Sequence, residues 1–145
     1  MNQVAILYPV FVQVMLTLAV YGLLAVARGR ALKDSDRARG GGDIAMGRFA
    51  WPEEAEKRAN NQRNQFELPV LFYAVVAFAL IVRGADLPMV VLAWAFVLSR
   101  IAHAAIHIGP NKVRWRTPAF AAGLVILAVM WGKLFLHVVT RGVVA

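Results

Sequence analysis

The chain has 145 residues, of which 60% are hydrophobic, and it carries a formal net charge of +8 and no cysteine. Its length suits one domain, and its apolar content exceeds the roughly 45–50% of soluble domains. The lack of cysteine excludes disulfides and a thiol nucleophile. The basic residues lie beside apolar runs, so membrane topology and anionic headgroups explain the charge, and we expect no nucleic-acid partner.

Four apolar runs of about 20 residues predict four membrane helices. We assign the spans to residues 4–27, 60–82, 88–108 and 118–139, with loops at 28–59 and 109–117. Gln13 is the one strongly polar residue in the middle of the first span, where either a hydrogen bond to a neighbouring helix or a ligand would satisfy it. The predicted fold is all-α, an integral membrane four-helix bundle with antiparallel up-and-down connections.

The second helix is predicted to run from Glu53 to Val82. Its residues would extend roughly 45 Å at about 1.5 Å each, which exceeds a hydrocarbon core of about 30 Å. Its first half is therefore expected to stand out of the membrane, with Glu67 near the boundary. Pro69 is predicted to kink this helix, because proline removes the hydrogen bond to the carbonyl of Gln65.

A polar face follows the second helix into the membrane, because Asn60, Arg63, Asn64 and Glu67 recur at i, i+3, i+4 and i+7. Ionisable groups at that depth are costly unless they face a protein interior or a water-filled cavity, so they mark a site. Arg63 and Glu67 lie one turn apart and can pair. The simpler alternative is an ion pair on the helix surface that holds two helices together.

The third helix ends with a second polar face, formed by Arg100, His103 and His107 at i, i+3 and i+7. The spacing of the two histidines suits a metal, but this helix offers no acidic or thiolate third ligand. We therefore predict an interhelical role and no metal site. The loop that follows is basic and contains Lys112, Arg114 and Arg116. Two of these, Arg114 and Arg116, are alternatively anchors for lipid headgroups.

Basic residues concentrate in the loops after the first and third spans, which predicts that both loops are cytoplasmic and both termini are not. The first of these loops carries Arg28, Arg30, Lys33, Arg37, Arg39 and Arg48. This topology brings both polar faces to one membrane surface, where they would form a cationic pocket. Arginines would bind carboxylates of a small anionic ligand and Glu67 its ammonium group, while a guanidinium would lower the pKa of a bound thiol from ~8.5 toward neutrality.

The segment Glu56–Pro69, EKRANNQRNQFELP, with its R-N-x-x-E core, resembles the signature of the MAPEG family, membrane-associated proteins in eicosanoid and glutathione metabolism. The run from Arg100 to His103, followed by a basic loop with Arg116, is similar to the same family. Its members include microsomal glutathione transferases, leukotriene and prostaglandin synthases, and a non-catalytic lipoxygenase-activating protein.

The resemblance implies a homotrimer of four-helix subunits, with glutathione held between neighbouring subunits at the cytoplasmic side. It implies that Arg63, Asn64 and Glu67 bind the tripeptide, that His103 lies in the same wall, and that Arg116 stabilises the thiolate as the catalytic residue. The other candidate binding residues are Asn60, Arg100, His107, Lys112 and Arg114. Lipids and a lipophilic second substrate are the remaining expected partners.

Three positions depart from the pattern of the family's glutathione binders. Those proteins usually have an arginine at the position of Asn60 and tyrosines at those of His107 and Phe120. The expected function is a glutathione-dependent transferase or peroxidase for lipophilic electrophiles, in a multi-pass membrane protein (of the inner membrane, in a bacterium). The departures keep an alternative open, a non-catalytic protein of the same fold that binds a lipid or a protein partner.

Overall fold

The computed structural model describes residues 3–33, 42–109 and 112–142, and all regular structure within them is helical. A 3-10 turn (Gln3–Ile6) precedes α1 (Leu7–Lys33), which is followed by α2 (Gly42–Ala45), α3 (Glu53–Asn64), α4 (Leu68–Ile81), α5 (Leu87–Ile108) and α6 (Val113–Gly142). Four stretches are long and apolar enough to cross a membrane, namely Gln3–Lys33, Glu53–Ile81, Leu87–Ile108 and Arg114–Arg141. The predicted all-α bundle of four spans is confirmed. Arg37 and Arg39 lie outside the described residues.

The bundle is held together by close packing of α4, α5 and α6. Phe72 and Phe96 are fully buried, and their rings stack with centroids 4.5 Å apart. Gly123 brings the backbone of α6 close to α5, since a Cβ added there would lie 2.8 Å from the Ser99 hydroxyl. Lipid is as apolar as these side chains, so close van der Waals contact stabilises the bundle more than the hydrophobic effect does.

Helix α1 continues to Lys33, six residues beyond the predicted span. Its last turn carries Arg30 and Lys33, which interact favourably with the negative end of the helix dipole. The guanidinium of Arg28 stacks on Trp51 at 4.8 Å and connects this extension to the start of α3. Residues 28–33, which the sequence assigns to the first loop, are therefore helical.

The second span is two helices, where the sequence predicts one helix kinked at Pro69. Helix α3 ends at Asn64, residues 65–67 form a turn, and α4 starts at Leu68. The amide of Phe66 bonds the carbonyl of Arg63 at 2.8 Å, which closes α3 with a tighter i→i+3 turn. Pro69 then lies in the first turn of α4, where its missing N–H leaves no bond unmade.

Helix α6 begins at Val113, five residues before the start predicted at Pro118. The amide of Arg116 donates to the carbonyl of Lys112 at 3.1 Å and closes the first turn. Pro118 consequently lies inside the helix, where it removes one backbone hydrogen bond. As a result Arg116 has a fixed helical position, although the sequence predicts that it lies in a loop.

Candidate functional site

A polar crevice of about 380 Å³ lies between the end of α3, the end of α5 and the start of α6. Its lining consists of Asn60, Arg63, Asn64, Glu67, His103, His107, Arg116, Thr117 and Phe120. Seven of these nine residues were site candidates from the sequence, all except Thr117 and Phe120. The structure therefore brings together the polar face of the second span, His103 and His107 of α5, and Arg116 of α6.

The α3 wall of the crevice presents an amide, a guanidinium and a carboxylate to solvent. Arg63 Nη1 donates to Asn60 Oδ1 at 3.1 Å, and the side chains of Asn60, Arg63 and Glu67 are exposed. Among the described residues no ion pair joins Arg63 to Glu67. The reason is that Glu67 lies past the helix end, with φ −88° and ψ −89°, so the helical i, i+4 geometry is lost.

His103 connects all three elements of the crevice. Its Nδ1 lies 3.2 Å from the main-chain oxygen of Arg116, and its Nε2 lies 3.4 Å from Asn64 Nδ2. A carbonyl oxygen can only accept, so the hydrogen bonds assign the proton to Nδ1 and leave Nε2 to accept from Asn64. This arrangement fits the predicted interhelical role. Within the described part of the chain, no three metal-ligating side chains come together.

Arg116 is oriented by His107. Arg116 Nη1 lies 3.3 Å from His107 Nε2, and the guanidinium must be the donor because it has no lone pair to offer. His107 is buried yet borders the crevice, and its ring meets that of His103 edge to face at 5.8 Å. A guanidinium so held can stabilise an anion in the crevice.

Three candidates from the sequence do not line the crevice. Arg100 is fully buried and donates from Nη2 to the main-chain oxygen of Asn64 at 2.9 Å. Lys112 is exposed, and the exposed Arg114 packs against Trp115 at 5.1 Å. Arg114 and Arg116 differ by two positions, which turns their side chains roughly 200° apart on a helix, so they cannot face the same cavity.

Buried side-chain amides lie behind the α3 wall of the crevice, and the sequence identified only one of them, Gln13. Gln13 Nε2 donates to Gln65 Oε1 at 3.0 Å, so the interhelical hydrogen bond expected for Gln13 is present. Asn61 and Gln65 are buried as well, and both were overlooked. Their i, i+4 spacing would have revealed a second polar face on this helix.

Comparison with family models then identifies the chain. The model of the MAPEG family matches residues 6–136, which includes every residue of the crevice. The chain belongs to the MAPEG family. Comparisons with curated proteins and with solved structures found no match. Family membership and the four spans together make this MAPEG protein an integral, multi-pass membrane protein.

Proposed function

We propose that this MAPEG protein is a glutathione-dependent transferase or peroxidase that acts on lipophilic electrophiles. The observation that carries the proposal is the polar crevice, which has a guanidinium fixed on one wall and an exposed carboxylate, amide and guanidinium on the other. Its volume of about 380 Å³ falls within the range of about 300–1,000 Å³ typical of small-molecule sites.

Glutathione carries two carboxylates, one ammonium group and one thiol, and the crevice offers a cation for one carboxylate, a carboxylate for the ammonium group and a second cation for the thiol. Arg63 would bind a carboxylate through paired N–H donors, and Glu67 would bind the ammonium group. The amides of Asn60 and Asn64 would hydrogen-bond the peptide backbone. This arrangement leaves the thiol toward the α5–α6 wall, where Arg116 lies.

Arg116 would favour the thiolate, lowering the thiol pKa from ~8.5 toward neutrality. The thiolate then attacks an electrophilic carbon, a C–S bond forms, and the displaced electron pair leaves with the leaving group or enters a conjugated carbonyl. With a hydroperoxide, the sulfur attacks oxygen, the O–O bond breaks, and an alcohol and a sulfenic acid form. A second glutathione converts the sulfenic acid into a disulfide and water.

We further propose that the protein is a homotrimer whose crevices open toward the cytoplasm beside a neighbouring subunit. Asn60, Arg63 and Glu67 are exposed in the single chain, at the end of a span that enters the membrane. Charged groups at that level are stable when they face protein or water. The lipophilic substrate would enter past the half-buried ring of Phe120.

Isothermal titration of the detergent-solubilised protein with glutathione tests the proposal directly. We expect a saturable heat with a Kd between about 10 μM and 1 mM, equivalent to roughly 4–7 kcal/mol. Glu67→Gln should weaken binding, because it removes the charge opposite the ammonium group. The absence of heat at millimolar glutathione, beside a transferase that gives a signal, would contradict the proposal.

A second candidate function is that of a non-catalytic member of the family, which binds a lipid or a protein partner. It is favoured by Asn60, His107 and Phe120, which stand where the family's glutathione binders usually have an arginine and two tyrosines. Against this candidate, His107 accepts a hydrogen bond from Arg116. The hydroxyl oxygen of a tyrosine at this position could accept the same bond, so the histidine can replace it in this role. Arg116→Ala separates the two, because an enzyme loses turnover while a scaffold has none to lose.

A further inference from the structure

The turn between α3 and α4 is tied to a neighbouring helix through a main-chain acceptor. The carbonyl of Asn64, the last residue of α3, accepts from Arg100 Nη2 of α5 at 2.9 Å. A cation that hydrogen-bonds the last carbonyls of a helix satisfies them and also interacts favourably with the helix dipole.

Arg100 is placed for this contact rather than for ligand binding. Its side chain is fully buried. Its guanidinium lies 5.5 Å from the ring centre of Phe120, which is a residue of the crevice lining. Among the described residues its Nε and Nη1 atoms have no hydrogen-bond partner, and no carboxylate lies within ion-pair distance. The bond to Asn64 is therefore its one hydrogen bond in the described part of the chain, and its guanidinium is also attracted by the charge of Glu67, in an interior where a cation is costly.

A second buried contact fixes the same turn from the other side. Gln65 is the first residue after α3, it is 2% exposed, and its side chain accepts from Gln13 of α1 at 3.0 Å. Asn64, immediately before Gln65, and Glu67, two residues after it, line the crevice. Two neighbouring helices thus determine where this part of the crevice wall lies.

We propose that Arg100 is a positioning residue that ties the turn between α3 and α4 to α5 and so sets the positions of Asn64 and Glu67 on the crevice wall. Without Arg100, the carbonyl of Asn64 loses its tie to α5, while Pro69 still prevents a continuous helix. The turn then varies in position, and Glu67 moves from its place in the crevice. Gln13 supports the same geometry through Gln65.

The geometry of the break can be measured without any ligand. The chain has no native cysteine, so spin labels at Lys57→Cys on α3 and Ile81→Cys on α4 report only on these sites. The labels would be separated by about 35 Å along the span, and labelled chains would be diluted with unlabelled protein. For Arg100→Met we expect the distance distribution to shift or broaden by about 1.5–3 Å, the rise of one to two helical residues.

Further variants keep the measurement decisive if Arg100→Met does not fold. Arg100→Lys retains a charged donor and should stay close to the wild-type distribution, whereas Gln13→Leu should broaden it. Gln62→Leu is the matched control, since it removes a hydrogen bond from α3 to Tyr21 of α1 at 2.9 Å on the exposed side. An unchanged distance distribution in folded Arg100→Met would overturn the proposal. If Arg100→Met does not fold, an unchanged distribution in Gln13→Leu would do the same. An equal change in the Gln62→Leu control would also overturn it.

A kinetic measurement adds a functional result that rests on the proposed glutathione activity. Arg100→Met should raise the KM for glutathione about ten-fold and change kcat less than about three-fold, with Arg100→Lys recovering most of the loss. In a protein that already carries Asn64→Ala and Glu67→Gln, Arg100→Met should raise the KM for glutathione by less than about two-fold more, because its effect passes through those two residues. A full ten-fold rise in KM there would mean that Arg100 contacts glutathione directly, and it would overturn the positioning role. If glutathione does not bind, the spin-label distances still decide the structural part.

Discussion

The two ends of the bundle use similar residues in different ways. At the turn between α4 and α5, Lys133 pairs with Asp86 at 2.6 Å, and His137 Nε2 contacts the Val82 carbonyl at 3.2 Å. Both side chains come from the end of α6 and close that end of the molecule. At the opposite end, Glu67 and Arg63 stand open to the polar crevice.

The comparison shows that the same residue types form structural contacts at one end of the bundle and line a crevice at the other. Lys133 pairs with a carboxylate and stabilises the turn that it contacts. Arg116 borders the polar crevice, and we propose that it binds a ligand anion there. The closed end and the polar crevice should therefore respond differently to equivalent substitutions.

The largest expected effect is that of Arg116→Ala, which removes the guanidinium from the polar crevice. We expect kcat/KM for glutathione conjugation to fall about 100- to 1,000-fold, or roughly 3–4 kcal/mol, as when one donor is removed from an oxyanion site. The oligomeric state in detergent should not change. Lys133→Ala at the closed end is the matched loss of charge, and it should leave turnover within about two-fold. Equal losses in both variants would remove the distinction between the ends.

A smaller effect on stability is expected at the closed end. Asp86 accepts from the Met89 amide at 3.1 Å as the N-cap of α5 and also pairs with Lys133. Asp86→Ala should lower the free energy of unfolding by about 1–2 kcal/mol, most of it through loss of the cap. Asp86→Asn keeps the cap and should cost less than about 1 kcal/mol, since exposed ion pairs contribute little. Thermal unfolding monitored by circular dichroism measures both, and glutathione affinity should be unchanged.

The same carboxylate gives a pH dependence with a definite sign. Burial alone would raise the pKa of Asp86, but the hydrogen bond and charge of Lys133 and the Met89 amide outweigh it, so the pKa is lowered. A lowered pKa in the folded state means that the stabilisation is present above the unfolded value of ~3.9 and is lost as pH falls through the folded value. Below about pH 4 the wild type should lose more stability than Asp86→Asn. Parallel curves for the two proteins would contradict this.

The smallest effects are expected for Lys112 and Arg114, which are exposed outside the polar crevice. Substituting either by Met should change the Kd for glutathione by less than about two-fold at physiological ionic strength, because exposed charges are screened over about 8 Å. Titration at low and physiological salt checks this. A ten-fold loss at physiological salt would show that the basic segment before Arg116 belongs to the binding site after all.

Hydropathy and periodicity were sufficient to predict the four spans and the polar face of α3, because both follow from side chains read along one helix. The spacing of Asn60, Arg63, Asn64 and Glu67 placed all four in the same crevice. Pro69 predicted an interruption of this helix, but not the turn over residues 65–67. That turn also involves hydrogen bonds from Arg100 and Gln13, which belong to two other helices.

The assignment of the basic residues was limited for a related reason. With Arg116 in a predicted loop, the residue pattern alone did not separate the three cations after α5, and only the family resemblance singled out Arg116. The early start of α6 at Val113 gives each of them a fixed direction, and only Arg116 among them lines the polar crevice. Helix starts depend on a few backbone bonds, such as that from the Arg116 amide to Lys112, and sequence patterns define them poorly.

The most direct test of the central claim is the ultraviolet absorbance of the thiolate when glutathione is added to the purified protein at neutral pH. A thiol bound beside Arg116 should ionise well below its usual pKa of ~8.5, giving about one thiolate per crevice. The signal should be absent in Arg116→Ala and retained in Arg114→Met. A wild-type protein that binds glutathione without forming thiolate, or an Arg116→Ala variant with the full signal, would contradict the claim.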